Sequence, residues 1–390
     1  MKQVLDSTMK HRILIFSLAY YPHVGGAEVA LKEITDRISD IEFHMLTLNF
    51  GGEAKEEKIG NVFVHRIGNN ASYLSKILFI PRAAFAARTL HRKQPFDGAW
   101  AMMSYMVFPL VVLRLMGVRL PYVLSLQDGD PFEQVFKRWF ILPVLPLLIY
   151  GFRHAAVIQP LSQYLVGWAK SLGYKGPIEI IPNGADVAYF SRVDVEAIEQ
   201  RKKEIGKISG QIAFVSTSRL VHKNALDDVI CALVHLPENI HFYNFGFGPD
   251  KKMLENLARK EGVGQRVHLL PHPGLELLPH YLQACDIFIR PSRTEGFGVS
   301  FIEAMAAGLP VIATQEGGIA DFLYDAKRNP DKPTTGWAVD KDSPEQIAEA
   351  VKEILENPDQ AARVTANAKK LVSENYDWNL IAGNMRALFN

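Results

Sequence analysis

Cysteine is almost absent from this 390-residue chain: there are two, Cys231 and Cys285, each inside an apolar stretch. Two such residues supply neither a disulfide framework nor a metal-ligating cluster, so they read as small core residues of a protein kept in a reducing compartment. An excess of charge of one sign is absent too. Lys and Arg number 43 against 42 Asp and Glu, a net charge of +1, which argues against a broadly basic nucleic-acid-binding surface. No apolar run reaches the ~20 residues that a membrane-crossing helix needs. The best candidate, Trp139–Phe152, is too short and is interrupted by Pro143 and Pro146. No secretion signal is visible, because Met1–His11 is polar and leads directly into the first apolar stretch. The full glycine fingerprint of a dinucleotide site is missing as well. Gly246-Phe247-Gly248 follows a strand-like run, but Lys251 stands where the third glycine belongs, which disfavours an NAD-dependent oxidoreductase.

What the sequence does contain is alternation. Short apolar runs at 12–18, 42–48, 62–66, 99–102, 122–126, 155–159 and 178–181 read as strands separated by helical segments, among them a long helix over 73–93. After a polar, charged stretch at 186–210, the alternation resumes with strands at 212–217, 240–245, 267–270, 287–289, 311–313 and 337–339, then helices at 343–356, 358–374 and about 376–389. Strands alternating with helices predict an α/β protein with parallel, doubly wound sheets. The expected layout is a first domain over 1–185, a link over 186–210 and a second domain over 211–375.

The most informative stretch is 290–318. The strand ending at Ile289 is followed by a loop with Glu295, Gly296 and Gly298, a helix from Val299 to Ala307, and a stop at Gly308 with Pro310 beyond it. Open α/β sheets bind ligands at the carboxyl ends of their strands, and helix N-terminal amides favour anions. Glu303 lies eight residues beyond Glu295 and inside that helix, so one carboxylate meets a ligand at the helix mouth and the other reaches it from the flank. Carboxylates alone would repel an anion. The partner cations follow strand 212–217: Arg219, a planar fork for phosphate oxygens, and Lys223, a movable point charge. Two cations and two carboxylates suit a ligand with a diphosphate and several hydroxyls.

Arg219 with Lys223, and Glu295-x7-Glu303 in the setting Pro-Ser-x-x-Glu-Gly-Phe-Gly, resemble the donor site of retaining GT-B glycosyltransferases of family 4 (glycosyl transferases group 1). The likeness runs nearly end to end, through Gly25-Gly26, Ile181-Pro182-Asn183-Gly184 and Gly317-Gly318. It implies two Rossmann-like domains facing across a cleft, with the helix at 376–390 joining the first. It also implies a nucleotide-diphosphate sugar as substrate and no cofactor. Arg219, Lys223 and Glu295 would then be catalytic. Gly25, Gly26, Gly296, Phe297, Gly298, Val299 and Glu303 would bind the donor, with Glu303 on the ribose hydroxyls.

Asp128-Gly129-Asp130 looks like the metal-binding Asp-x-Asp of the other main glycosyltransferase fold, but Asp-Gly pairs are common turn formers and nothing completes a metal site, so no metal is expected. Gln127 departs from the family, many of whose members have His there. Glutamine is no general base; Asp128 is the nearest replacement, and a solvated turn aspartate is the equally weighted alternative. These two are the acceptor-side candidates.

Helix 73–93 carries Lys76, Arg82, Arg88, Arg92 and Lys93 and no acid, and Lys137-Arg138-Trp139-Phe140 repeats the basic-aromatic pairing. A basic amphipathic surface suits an anionic leaflet. The expectation is therefore a cytoplasmic enzyme, peripheral on the inner face of the plasma membrane, that glycosylates a lipid or lipid-linked glycan in cell-envelope synthesis. A nucleotide-sugar epimerase or hydrolase of the same fold, and a non-catalytic sugar-nucleotide-binding protein, remain open at this point.

Overall fold

The computed structural model describes residues 11–390, which divide into two compact units. The first runs to Pro182 and takes in Asn379–Asn390; the second is Asn183–Trp378. Both are α/β units built on a parallel sheet, as the alternation predicts.

The first unit holds β1 (His11–Phe16), β2 (Ile41–Leu48), β3 (Glu56–Ile59), β4 (Val62–Ile67), β5 (Gly98–Met102), β6 (Tyr122–Leu126) and β7 (Val157–Pro160), in the spatial order β3-β4-β2-β1-β5-β6-β7. All neighbours pair in parallel except β3, which runs antiparallel along β4. Sheets covered on both faces need strands that are apolar throughout rather than alternating. Accordingly Ile13–Phe16 and all of β5 and β6 are buried. Helix α1 (Gly26–Arg37) follows β1, and helix α2 (Tyr73–Lys93) leads into β5. The last helix, Trp378–Ala387, brings Phe389 against Phe43 of β2 and Trp100 of β5, with ring centroids 5.9 and 5.2 Å apart.

The second unit holds β8 (Ile212–Thr217), β9 (Ile240–Phe245), β10 (Val267–Leu270), β11 (Ile287–Arg290), β12 (Val311–Ala313) and β13 (Trp337–Ala338), all parallel, in the order β10-β9-β8-β11-β12-β13. Numbered by appearance within the unit, that is the 3-2-1-4-5-6 order of nucleotide-binding sheets. The same order governs the first unit once the antiparallel edge strand β3 is set aside. The winding reverses between β8 and β11. At such a switch point the chain leaves two adjacent strands in opposite directions and opens a crevice at their carboxyl ends. Around it Phe214, Leu220, Val229, Ile230, Ile287, Ile289 and Ile312 form a buried core that makes the strand ends rigid.

Two details differ from expectation, and a third adds to it. Residues 178–181 make only a single bridge, Ile158 to Ile178, and no strand. The charged loop before β4 contains β3, whose Glu-Glu-Lys-Ile sequence hides an exposed edge strand. Within 186–210 lie helices Val187–Ser191 and Val195–Glu204, and Tyr281 Oη donates to Glu204 at 2.6 Å, tying the segment to the second unit.

Candidate functional site

In the second unit four chain segments converge at the carboxyl ends of β8, β9, β11 and β12. Glycine is required at their contacts because backbone meets backbone. A Cβ on Gly246 would lie 2.0 Å from the carbonyl oxygen of Ser218, and one on Gly248 2.2 Å from that of Leu220. A Cβ on Gly317 would lie 1.9 Å from the carbonyl oxygen of Glu295, and one on Gly318 2.2 Å from that of Gly296. Gly246-Phe247-Gly248, which is no dinucleotide fingerprint, therefore braces the turn that carries Arg219, and Gly317-Gly318 braces the loop that carries Glu295.

Arg219 is exposed just beyond β8, and Lys223 sits four residues on, in a short turn. Asn224 holds that turn closed by donating from Nδ2 to the Arg219 carbonyl at 2.7 Å. Ala225 then takes a left-handed conformation (φ +52°) that starts helix Leu226–Ala232. Across the switch point, the backbone N–H of Arg293 donates to the Lys223 carbonyl at 2.8 Å. The structure thus brings the predicted cations and the predicted carboxylate loop together from opposite sides of the reversal.

Gly298 caps helix Val299–Ala306 with φ +95°, a conformation only glycine adopts freely. Phe297 is buried against Phe322 and Tyr376 at 5.5 and 5.7 Å. Its side chain is core, so only the backbone around 296–299 is available to a ligand, at the positive end of the helix dipole. Glu295 accepts from Arg290 Nη2 at 2.8 Å and from the N–H of Gly296 at 3.1 Å. Arg290, 6% exposed, lies 4.2 Å over the ring of Phe301 and also faces Glu303. Burial holds its guanidinium below the ordinary range while Glu295 and Glu303 pull the other way. Burial likewise pushes Glu303 up to about 7, against the attraction of Arg290.

Arg290 was not singled out by sequence reasoning, although a signal was there: a charge closing the otherwise apolar run Ile287–Ile289. Arg293, inside the quoted motif, was also passed over.

The remaining predicted residues belong to the first unit. Gly25 is extended and caps α1; its N–H donates to Glu28 at 2.8 Å. Space beyond Gly26 is open, since a Cβ there would meet nothing within 4 Å. Gln127 is partly buried at the end of β6. Asp128 is not a solvated turn residue: it is buried, and accepts from the hydroxyl of Ser104 at 2.8 Å and the N–H of Ser104 at 3.3 Å. Burial pushes its carboxyl up to about 6, although both Ser104 contacts oppose this. Among the described residues no group of three or more His, Cys, Asp or Glu is set to hold a metal. No helix among them is long and apolar enough to cross a membrane.

Comparison with known proteins bears on the family and the fold. Residues 24–189 match the family model described as "Glycosyltransferase Family 4", and residues 197–371 match "Glycosyl transferases group 1". A GDP-mannose-dependent alpha-(1-6)-phosphatidylinositol monomannoside mannosyltransferase of Mycobacterium tuberculosis is 28% identical over 393 residues, covering 96% of this chain and 97% of its own. Among solved structures, sucrose-phosphate synthase from Thermosynechococcus elongatus superposes with a TM-score of 0.82 at 18% identity, covering 97% of this chain and 98% of its own. HepE from Anabaena, solved with UDP-glucose, gives 0.79 at 20% identity over 97% of this chain and 99% of its own. At these identities the structural likeness concerns the fold.

Proposed function

The chain belongs to the GT-B glycosyltransferases of family 4, and from that premise we propose that it is a retaining, metal-independent enzyme whose acceptor is a lipid or lipid-linked glycan at an anionic membrane surface. The observation that carries the reading is the pairing, across the β8/β11 switch point, of a loop with two cations and a loop-helix junction with two carboxylates, Glu295 on the loop and Glu303 in the helix. Arg219 and Lys223 offset the negative charge that grows on the departing diphosphate, and the amides ahead of Val299 add the helix dipole. Glu303 accepts from the ribose hydroxyls, and Glu295, oriented by Arg290, holds the sugar. The bond from the anomeric carbon to the phosphate oxygen breaks as the bond to the acceptor oxygen forms on the same face, and the acceptor proton passes to the departing phosphate. That route asks nothing of Gln127 and leaves Asp128 to orient the acceptor. Paired cations at the diphosphate remove the need for a divalent metal.

The lipid acceptor has two supports. The mycobacterial relative is named for a phosphatidylinositol mannoside substrate. In this chain, Trp139 is 82% exposed and stacks edge-on with Phe140, which in turn meets Tyr73 at the start of α2. Exposed aromatic and apolar residues amid basic ones suit a headgroup layer of the inner leaflet.

The test is to incubate the enzyme with UDP-, GDP- and ADP-sugars, with and without lipid acceptors, in the presence of a chelator. The expected result is a glycolipid whose proton NMR spectrum shows the donor's anomeric configuration. An inverted linkage would refute retention, loss of activity in the chelator would refute metal independence, and sugar released only to water or epimerised would favour the hydrolase or epimerase reading.

A further inference from the structure

Arg293 gathers more partners than any contact in the proposed donor site needs. Its guanidinium forms a fork with Asp227, Nη1 to Oδ1 and Nη2 to Oδ2 at 2.9 Å each. Nη2 also donates to Asp228 at 3.2 Å, Nε to Asp342 at 2.6 Å, and Nη1 to the carbonyl of His222 at 2.7 Å. Its own N–H donates to the carbonyl of Lys223. One guanidinium thus meets three carboxylates from two separate segments and the His222 carbonyl, while the backbone N–H of the same residue takes the next carbonyl of the turn. All five guanidinium N–H donors of an arginine point in fixed directions, so such a set of partners is compatible with one geometry of the turn.

Asp228 is buried, and its second oxygen, Oδ2, has no hydrogen-bond partner. Asp227 and Asp228 lie in the first turn of helix Leu226–Ala232, where the dipole favours them but their mutual repulsion does not. Without Arg293 the two would repel each other next to a turn whose shape depends on the left-handed Ala225. The 222–224 segment is a single 3-10 turn, closed by the N–H of Asn224 on the Val221 carbonyl and that of Ala225 on the His222 carbonyl; Arg293 adds the contacts that tie this turn to the neighbouring loop.

We infer that Arg293 is a positioning residue for the donor diphosphate: it touches no substrate, but locks the turn bearing Lys223 to the loop bearing Glu295, two residues further along. The inference rests on the donor-site reading above, and adds that the leaving-group lysine works only while this clamp is closed.

The experiment is a double-mutant cycle read by calorimetric binding of UDP, GDP and ADP to the full chain, using whichever binds tightest. Arg293→Gln is expected to weaken binding roughly tenfold, within the range of couplings between residues of one network. In a Lys223→Ala background the same substitution should add little, because the group it positions is gone. Arg293→Lys keeps the charge and loses the fork, so it should resemble Arg293→Gln. Asp342→Asn, which removes one contact at a largely exposed carboxylate, is expected to give a smaller loss of the same kind and serves if Arg293→Gln does not fold. Wild-type affinity in either Arg293 variant, or losses that simply add to that of Lys223→Ala, would overturn the positioning role. If Lys223→Ala itself binds as the wild type, or the wild type binds none of the three nucleotides, the donor-site reading falls and this inference with it.

Discussion

Glu303 has two requirements that conflict. In the proposed role it accepts from ribose hydroxyls most strongly when ionised, yet its burial pushes the carboxyl up to about 7. Nucleotide affinity is therefore expected to fall as pH drops from 8 to 6, by about tenfold, as the ionised fraction of such a group falls. The dependence should flatten in Glu303→Gln, as titration calorimetry across that range will show. For stability the sign is reversed. The folded state holds the proton more tightly than the unfolded chain, so the contribution of this group declines as pH rises from the ordinary carboxylate range through about 7. Arg290 keeps the conflict within bounds by placing a buried positive charge beside both carboxylates. The eight-residue spacing of Glu295 and Glu303, one on the loop and one in the helix that follows, was legible because it is read directly off the chain. The depth of Glu303 was not, because it depends on how Phe301 and Arg290 pack, which is a tertiary matter.

At the scale of elements, α2 shows how a pattern can be read correctly and still mislead about orientation. Its basic residues were expected to form a basic amphipathic surface. In the structure Phe79, Ala83, Ala84 and Ala87 are buried, while Tyr73, Leu74, Ile77 and Phe85 are exposed alongside Lys76, Arg82 and Arg92. Small alanines suffice against the sheet, so the large apolar residues are left outside, among the cations. Vesicle sedimentation should accordingly show binding to anionic lipid above neutral lipid, weakening with salt. Trp139→Ser is expected to reduce it on both, because the aromatic contribution does not depend on lipid charge. Equal, negligible sedimentation would leave a soluble acceptor. The edge strand β3 escaped notice for a related reason: exposed on both sides, Glu56–Ile59 carries no apolar period to detect. Asp128 was a candidate from the sequence, but its burial was not legible, because Ser104, 24 residues away, supplies its partner.

For the whole molecule, the strand order is the same in both units, and both predicted sets of site residues lie on loops at the carboxyl ends of strands or on the helices that follow them. What alternation could not tell was where the chain returns. Phe389, buried beside Phe43 and Trp100, and Arg386, whose Nε donates to Asp40 at 2.9 Å, make the last stretch a part of the first sheet's cover. Phe389→Ala should therefore destabilise the first unit by about 3–5 kcal/mol, the usual effect of emptying a core aromatic site. Hydrogen exchange should show the loss of protection in β1, β2 and β5, with β8 to β12 little changed.

That return has a consequence for synthesis. The second unit is one continuous stretch, whereas the first is interrupted by all of it. A ribosome adding roughly 5–20 residues per second spends on the order of ten to forty seconds between Pro182 and Asn379. Throughout that interval Phe43 and Trp100 wait without the ring that covers them. The unit that is made first is thus completed last, and its unfinished aromatic surface is what a chaperone or protease meets on the nascent chain.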